Sequence, residues 1–298
     1  MNKTILKILI PHPFDLKSTL IAHGWASLQP NLYDKESGTF SRVERLLSGK
    51  VIRENFFWKE KHTVNNLQTI IESDGRLTEK EIGNIHELLR HMLRLDEDFS
   101  PFYKKCRQYG VPWERLSRGG GRLLRSPTFF EDLVKVILTT NIQWSGTRRM
   151  VKELVDAYGE VFPGCREMKT FPLPRRIAKD SLEEFKEKVN LGYRADYIHM
   201  LAKKFSSGEI SEDDYLDVNE STDEVRKRLL AIKGIGAYAA ATMLMILGRY
   251  DDIPVDTIFR EFTSEKYFKG RDFNLKEALS IYDKWEKWKY LAYWFDDH

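Results

Sequence analysis

The sequence predicts an α+β protein in which a small mixed unit, residues 1–100, precedes a larger and mostly helical one, residues 101–298. Two observations carry this. In the first hundred residues, β-favouring segments such as TILKILI and VIRENFFW are interrupted by the turn-like stretches LYDKESGTF and LLSGK. From Leu77 the hydrophobic period becomes helical, and beyond the SRGGGRLLRSP loop nearly every segment carries helix start and stop signals.

The elements follow in order. LTEKEIGNIHELLRHMLRL sets Ile82, Ile85, Leu88, Leu89 and Met92 on one face, and Thr78 with Glu81 forms a capping box at its start. In SRGGGRLLRSP, Gly119 to Gly121 break any helix and the arginines sit beside flexible backbone. Ser126-Pro127 reads as an N-cap and first helical position for TFFEDLVKVILTT; SGTRRMVKELVDAYG then ends with Gly159 in the C′ position. Ser181 and Glu184 cap EEFKEKVNLGYRADYIHMLAKKF, which the asparagine-leucine-glycine step divides in two. Ser221 and Glu224 repeat the device, and NLKEALSIYDKWEKWKYLAYWF closes the chain. No fixed repeat period marks a solenoid.

Composition narrows the function classes. With 298 residues, 42% of them hydrophobic and 31% charged, the chain folds around a substantial core and is not mainly disordered. No apolar run approaches the roughly 20 residues that cross a bilayer, and the first one is broken by Pro11 and Pro13. An intracellular protein with no membrane partner is expected. Cys106 and Cys165 form no CxxC pair, so no metal, no iron–sulfur cluster and no other cofactor is expected. A net charge of +3 permits a polyanionic partner without requiring one.

The informative stretch is LAIKGIGAYAAATMLMILGRYDDIPVDTIFR, residues 230–260. A capped helix ends near Ile232, Lys233-Gly234-Ile235-Gly236 turns the chain, and a second helix begins near Ala237. Glycines let consecutive N–H groups and a helix N-terminus converge on one phosphate oxygen, with Lys233 adding a charge. The second helix is apolar nearly all round and carries Ala239, Ala240 and Ala241, which implies burial, and Gly248 ends it. Asp256 follows Pro254 and Val255, where it reads equally as an N-cap for TIFREF and as a catalytic carboxylate; Asp251 and Asp252 read as solvated loop charges.

Residues 222–248, with Leu229, Lys233-Gly234-Ile235-Gly236 and Ala240, resemble the helix-hairpin-helix motif. GRYDDIPVDT resembles the loop and aspartate of the helix-hairpin-helix DNA glycosylase superfamily, nearest its alkylpurine (3-methyladenine) and 8-oxoguanine branches. FFEDLVKVILTTNIQWSGTRRMVKELVDAYG and LGYRADYIHMLAKKF are similar to other segments of that fold, so the likeness covers most of residues 120–262. FDLKSTLIAHGW more weakly resembles the N-terminal antiparallel-sheet domain of those two branches.

The resemblance implies a DNA glycosylase of base excision repair: a DNA-associated enzyme, expected as a monomer, acting on double-stranded DNA that carries a damaged base. Asp256 would stabilise the positive charge that builds on the sugar as the N-glycosidic bond breaks, and would orient the attacking water. Bifunctional members carry a lysine where this chain has Tyr238, which implies a monofunctional enzyme without lyase activity. Lys233, Gly234, Ile235, Gly236 and Ala237 would grip the backbone. Asn141 would fill the gap left by the flipped base and Gln143 would read its orphaned partner. Tyr238, Trp288 and Gly24 are the pocket candidates, although the tail aromatics at helical spacing read at least as well as core. Alkylated purines are favoured, since an aromatic pocket suits a cationic base. An 8-oxoguanine enzyme, or a hairpin protein that binds DNA without chemistry, is the alternative.

Overall fold

A computed structural model of the chain describes residues 1–58, 66–217 and 219–297. It gathers into two compact units, each built from two stretches: residues 1–98 with 122–210, and residues 99–121 with 211–298. The break at residue 98 lies beside the boundary expected at 100, but the helices of residues 122–210 gather with the sheet.

In the first unit, β1 (Asn2–Leu9), β2 (Asn31–Asp34), β3 (Thr39–Arg45), β4 (Val51–Phe57) and β5 (Asn66–Ser73) form one antiparallel sheet in the order β1-β5-β4-β3-β2. The stretch LYDKESGTF is a hairpin flanked by β2 and β3, and LLSGK turns β3 into β4. Alternation along the strands sends Leu6, Ile8, Phe40, Ile52, Phe56, Leu67 and Ile71 inward. On the other side of β3, Val43 and Val51 pack with Phe162 of a two-stranded hairpin, β6 (Val161–Phe162) and β7 (Cys165–Lys169).

The sheet's inner face also carries charge. Arg42 and Glu54 are register partners on β3 and β4, both fully buried. Arg42 donates to Glu44 (2.7 Å) and to Glu131 (2.6 Å) of the Phe129–Thr139 helix, and Lys135, one turn on, donates to Glu131 at 2.6 Å. Burial alone would raise Glu131, but Arg42 and Lys135 outweigh it and hold the carboxylate below its ordinary range. These ion pairs join a helix of the late sequence to the early sheet.

Most expected elements are present, some with different ends. The Thr78–Glu81 capping box opens the Glu79–Met92 helix, and Ser181 with Glu184 opens Leu182–Lys188, which stops before Gly192 (φ +58°) ahead of Arg194–Ser207. Thr128, and not Ser126, caps Phe129–Thr139; the Ser126 N–H is taken by the Asp132 carboxylate instead. Gly159 is not in a left-handed cap either. A Cβ there would lie 2.4 Å from the Thr170 carbonyl oxygen, so close chain approach excludes a side chain. Two of the three arginines of the glycine-rich loop are buried and Arg118 is exposed: Arg122 donates to the Arg94 and Glu97 carbonyls, and Arg125 pairs with Glu97.

The second unit is helical and aromatic. Phe99, Phe102, Trp113, Tyr250, Trp285 and Trp288 pack together, with Tyr250 and Trp288 stacked at 5.5 Å. Asp296, whose side chain is fully buried, accepts from the Tyr267 (2.5 Å) and Tyr282 (2.9 Å) hydroxyls and from Lys266 (2.7 Å), fastening the last helix, Lys289–Asp297.

Candidate functional site

The hairpin of the second unit is built as its sequence requires. Ser221 caps the Thr222–Leu230 helix by accepting from the Glu224 N–H; the Glu224 carboxylate pairs with Lys227, so the box is only half formed. The turn closes through Ile232 N–H to Leu229 O (3.0 Å) and Ile235 N–H to Ile232 O (3.0 Å), with Ile232 and Ile235 buried as its apolar pins. Gly234 takes φ +96°, a region that L side chains avoid. Gly236 stands at the N-cap of the Ala237–Ile246 helix, with no side-chain cap and open space where a Cβ would point. The first turn therefore presents N–H groups outward, beside the exposed Lys233, Gly236 and Ala237. From Ala239 to Ile246 the helix is wholly buried, which fixes its direction.

The loop after this helix carries Asp256. Gly248 (φ +87°) ends the helix, and Arg249 ties the loop back by donating to the Glu220 (2.6 Å) and Asp217 (2.7 Å) carbonyls. Asp251 and Asp252 are not simply solvated: Asp251 accepts from the Thr222 hydroxyl at 3.0 Å, and half-buried Asp252 pairs with Arg226 at 2.9 Å. Both bind the loop to the helix before the hairpin. Asp256 N-caps Thr257–Thr263, its Oδ1 accepting from the Phe259 N–H at 2.7 Å. The cap uses one oxygen; among the described residues the other has no protein hydrogen bond.

Tyr238 opens the second helix with its ring 41% exposed. Desolvation raises its hydroxyl above the ordinary range, and the nearby Asp256 carboxylate raises it further. Buried Tyr290 belongs to the same group: burial raises its hydroxyl, and Tyr238, Tyr293 and Asp256 add to the shift. Thr242, one turn beyond Tyr238, lies beside both hydroxyls. Asp256 thus lies close enough to the Tyr238 and Tyr290 hydroxyls to raise both. The sequence reading passed over Thr242 and Tyr290, because one lies in an apolar helix and the other in an aromatic stripe. Trp288 does not line an open pocket. It is 4% exposed within the aromatic core, and Trp285 is fully buried.

The remaining candidates lie in the first unit. Asn141 follows the Phe129–Thr139 helix with φ +50° and an exposed side chain, and Arg194 clamps its loop by donating to the Thr140 and Asn141 carbonyls. Gln143 sits exposed at the N-cap of Trp144–Tyr158, where its carbonyl accepts from the Gly146 and Thr147 N–H groups. Gly24 opens a short 3₁₀ turn, Gly24–Ser27, and the Trp144 indole lies directly against it. Among the described residues no group of three or more His, Cys, Asp or Glu side chains could hold a metal, and no helix is long and apolar enough to cross a membrane.

Residues 134–287, more than half of the chain, match the family described as HhH-GPD superfamily base excision DNA repair protein. The chain belongs to this family. It is 25% identical to a DNA-3-methyladenine glycosylase of Bacillus subtilis (strain 168), over 97% of this chain and 94% of that one. Its fold matches the 3-methyladenine DNA-glycosylase of Archaeoglobus fulgidus, with a TM-score of 0.72 and 19% identity over 98% and 97% of the two chains. It matches the 8-oxoguanine glycosylase/lyase of Clostridium acetobutylicum equally closely, with a TM-score of 0.71 and 17% identity over 99% and 97%. At these identities the structural matches establish the fold: a sheet domain with helix-hairpin-helix glycosylase architecture.

Proposed function

We propose that this protein is a monofunctional DNA glycosylase of base excision repair that removes alkylated purines by hydrolysis. The observation that carries the reading is the arrangement of Asp256. It stands on a tethered loop after a hairpin with outward N–H groups, keeps one carboxylate oxygen clear of its own cap, and lies near the Tyr238 and Tyr290 hydroxyls. Both named relatives that act on 3-methyladenine match nearly the whole chain, which supports the substrate class.

In this reading the hairpin amides and Lys233 hold the backbone phosphate while the damaged nucleotide leaves the stack. As the bond between C1′ and the base nitrogen breaks, the bonding pair leaves with the base and the sugar becomes cationic. The Asp256 carboxylate stabilises that cation and takes the proton of the water that attacks C1′. Tyr238 offers a ring to the base. A phenol has no amine to condense with C1′, so Tyr238 makes no Schiff base. Asn141 and Gln143 serve the place in the duplex that the flipped nucleotide vacates.

The test is release of free base from duplexes carrying 3-methyladenine, 7-methylguanine, hypoxanthine or 8-oxoguanine, with alkali cleavage scored separately. Free base and an alkali-labile, otherwise intact strand are expected. A protein–DNA adduct trapped by borohydride overturns the monofunctional mechanism, and release confined to 8-oxoguanine overturns the substrate class. The 8-oxoguanine enzyme remains the second reading because its fold matches equally well.

A further inference from the structure

Among the tryptophans placed in the two units, Trp144 is unlike the rest. Trp25, Trp113, Trp285 and Trp288 are buried and Trp58 and Trp294 are partly covered, whereas Trp144 is 39% exposed although its position is fixed. Its Nε1–H donates to the Ser27 hydroxyl at 3.2 Å. The benzene part of its indole lies on the Gly24 backbone, where a Cβ would come within 2.3 Å of Cζ2 and 2.4 Å of Cη2. Real contacts of that kind do not occur, so Gly24 is the seat that lets the ring lie flat. The backbone bearing the ring is held as firmly. Arg194 clamps residues 140 and 141, the Thr147 hydroxyl donates to the Leu138 carbonyl at 3.0 Å, and Ile142 folds onto Gly146, where a Cβ would be 2.5 Å from its Cδ1.

A large aromatic surface that is pinned but uncovered, next to exposed Asn141, Gln143 and Ser145, has a planar partner outside the protein. Nucleobases are such partners, since every base has a π face and stacking on an aromatic ring needs no particular sequence. We infer that Trp144, seated on Gly24, is a specificity-determining residue that stacks on a nucleobase displaced from the duplex. This inference rests on the glycosylase reading. It explains why a glycine stands at position 24, where the indole leaves no room for a Cβ. The stacked base is either the damaged one or its orphaned partner.

The experiment measures binding by fluorescence anisotropy for wild type, Trp144→Ala, Trp144→Phe and Gly24→Ala. Three duplexes are compared: undamaged, one with a tetrahydrofuran abasic analogue, and one with 3-deaza-3-methyladenine. Trp144→Ala should weaken binding to a duplex with a displaced base by about tenfold to a hundredfold, while undamaged duplex binding changes little. Loss on the 3-deaza-3-methyladenine duplex alone assigns the ring to the damaged base; loss on both modified duplexes assigns it to the orphan. Trp144→Phe keeps a π face and should retain most of the affinity. Gly24→Ala leaves the indole in place chemically but lifts it from its seat, so it should behave like Trp144→Ala with an unchanged circular dichroism spectrum. Equal loss on all three duplexes, or no loss, overturns the inference. Wild type that binds none of them overturns the glycosylase reading itself.

Discussion

Asp256 is both a helix cap and, in the proposed mechanism, the group that faces the sugar, and single substitutions separate the two. Asn caps a helix about as well as Asp, so Asp256→Asn should leave the melting temperature unchanged while base release falls by about 10² to 10³. Asp256→Ala loses the cap as well, at a cost of about 1 kcal/mol, visible in urea denaturation. Loss of activity in Asp256→Ala alone would identify a cap without chemistry. Other residues tie stability to pH. Burial, helped by the Glu44 carboxylate and opposed by Arg42, pushes the Glu54 carboxyl from 4.5 up to about 8, and neither of its oxygens has a hydrogen-bond partner. Between those values the unfolded chain has released a proton that the native state keeps, so stability falls as pH rises through that window. Burial lowers the His23 imidazole from 6.5 to about 3, against the pull of its 2.6 Å bond to the Leu124 carbonyl. Its contribution is complete above 6.5 and is lost as pH falls toward 3. Glu54→Gln should therefore remove the fall of the urea midpoint between pH 4.5 and about 8 that Glu54 contributes, and leave the pH dependence below 4.5 unchanged.

At the scale of elements, the hairpin's two glycines have different reasons to be glycine. Gly234 needs its φ of +96°, so Gly234→Ala strains the turn by about 1–3 kcal/mol, lowering the melting temperature and DNA affinity together. Gly236 has an ordinary φ of −93° and room for a methyl group, so Gly236→Ala should fold normally. Its Cβ would stand in the open space where phosphate is proposed to approach, and duplex affinity should fall without loss of stability. Thermal melts and anisotropy titrations check the pair; equal effects from both alanines would remove the phosphate role. Capping residues make these helices legible in sequence, because a serine or threonine followed three residues later by glutamate acts locally. Ser126-Pro127 misled because the Ser126 N–H is taken by Asp132 in the first helical turn and its hydroxyl accepts from Lys135, which leaves the cap to Thr128.

For the molecule as a whole, buried charge and buried hydroxyls hold distant parts of the chain in place. In the first unit Arg42 of β3 grips Glu131, 89 residues away, and so attaches the helix before the Asn141 loop to the sheet. In the second unit Asp296 holds the Tyr267 and Tyr282 hydroxyls. Removing that carboxylate strands the buried Tyr282 donor, at a cost of about 1–3 kcal/mol, and frees the half-buried Tyr267 hydroxyl. Asp296→Ala should lower unfolding stability accordingly, whereas Asp296→Asn, which can still accept, should lose less; equal stability of all three proteins in urea would show that the anchor contributes nothing.

The sequence by itself determined the α+β class, the capped helices, the hairpin and the position of Asp256. Each rests on interactions between residues a few positions apart, so the local string contains the physics. It left the tail tryptophans open between pocket and core, and only packing decided that Trp285 and Trp288 are core. The tertiary structure alone decided which elements share a unit, that Tyr290 and Thr242 join Tyr238 near Asp256, and that Trp144 lies on Gly24. Those contacts join segments dozens of residues apart, and no periodicity or spacing encodes which side chain meets which across a fold.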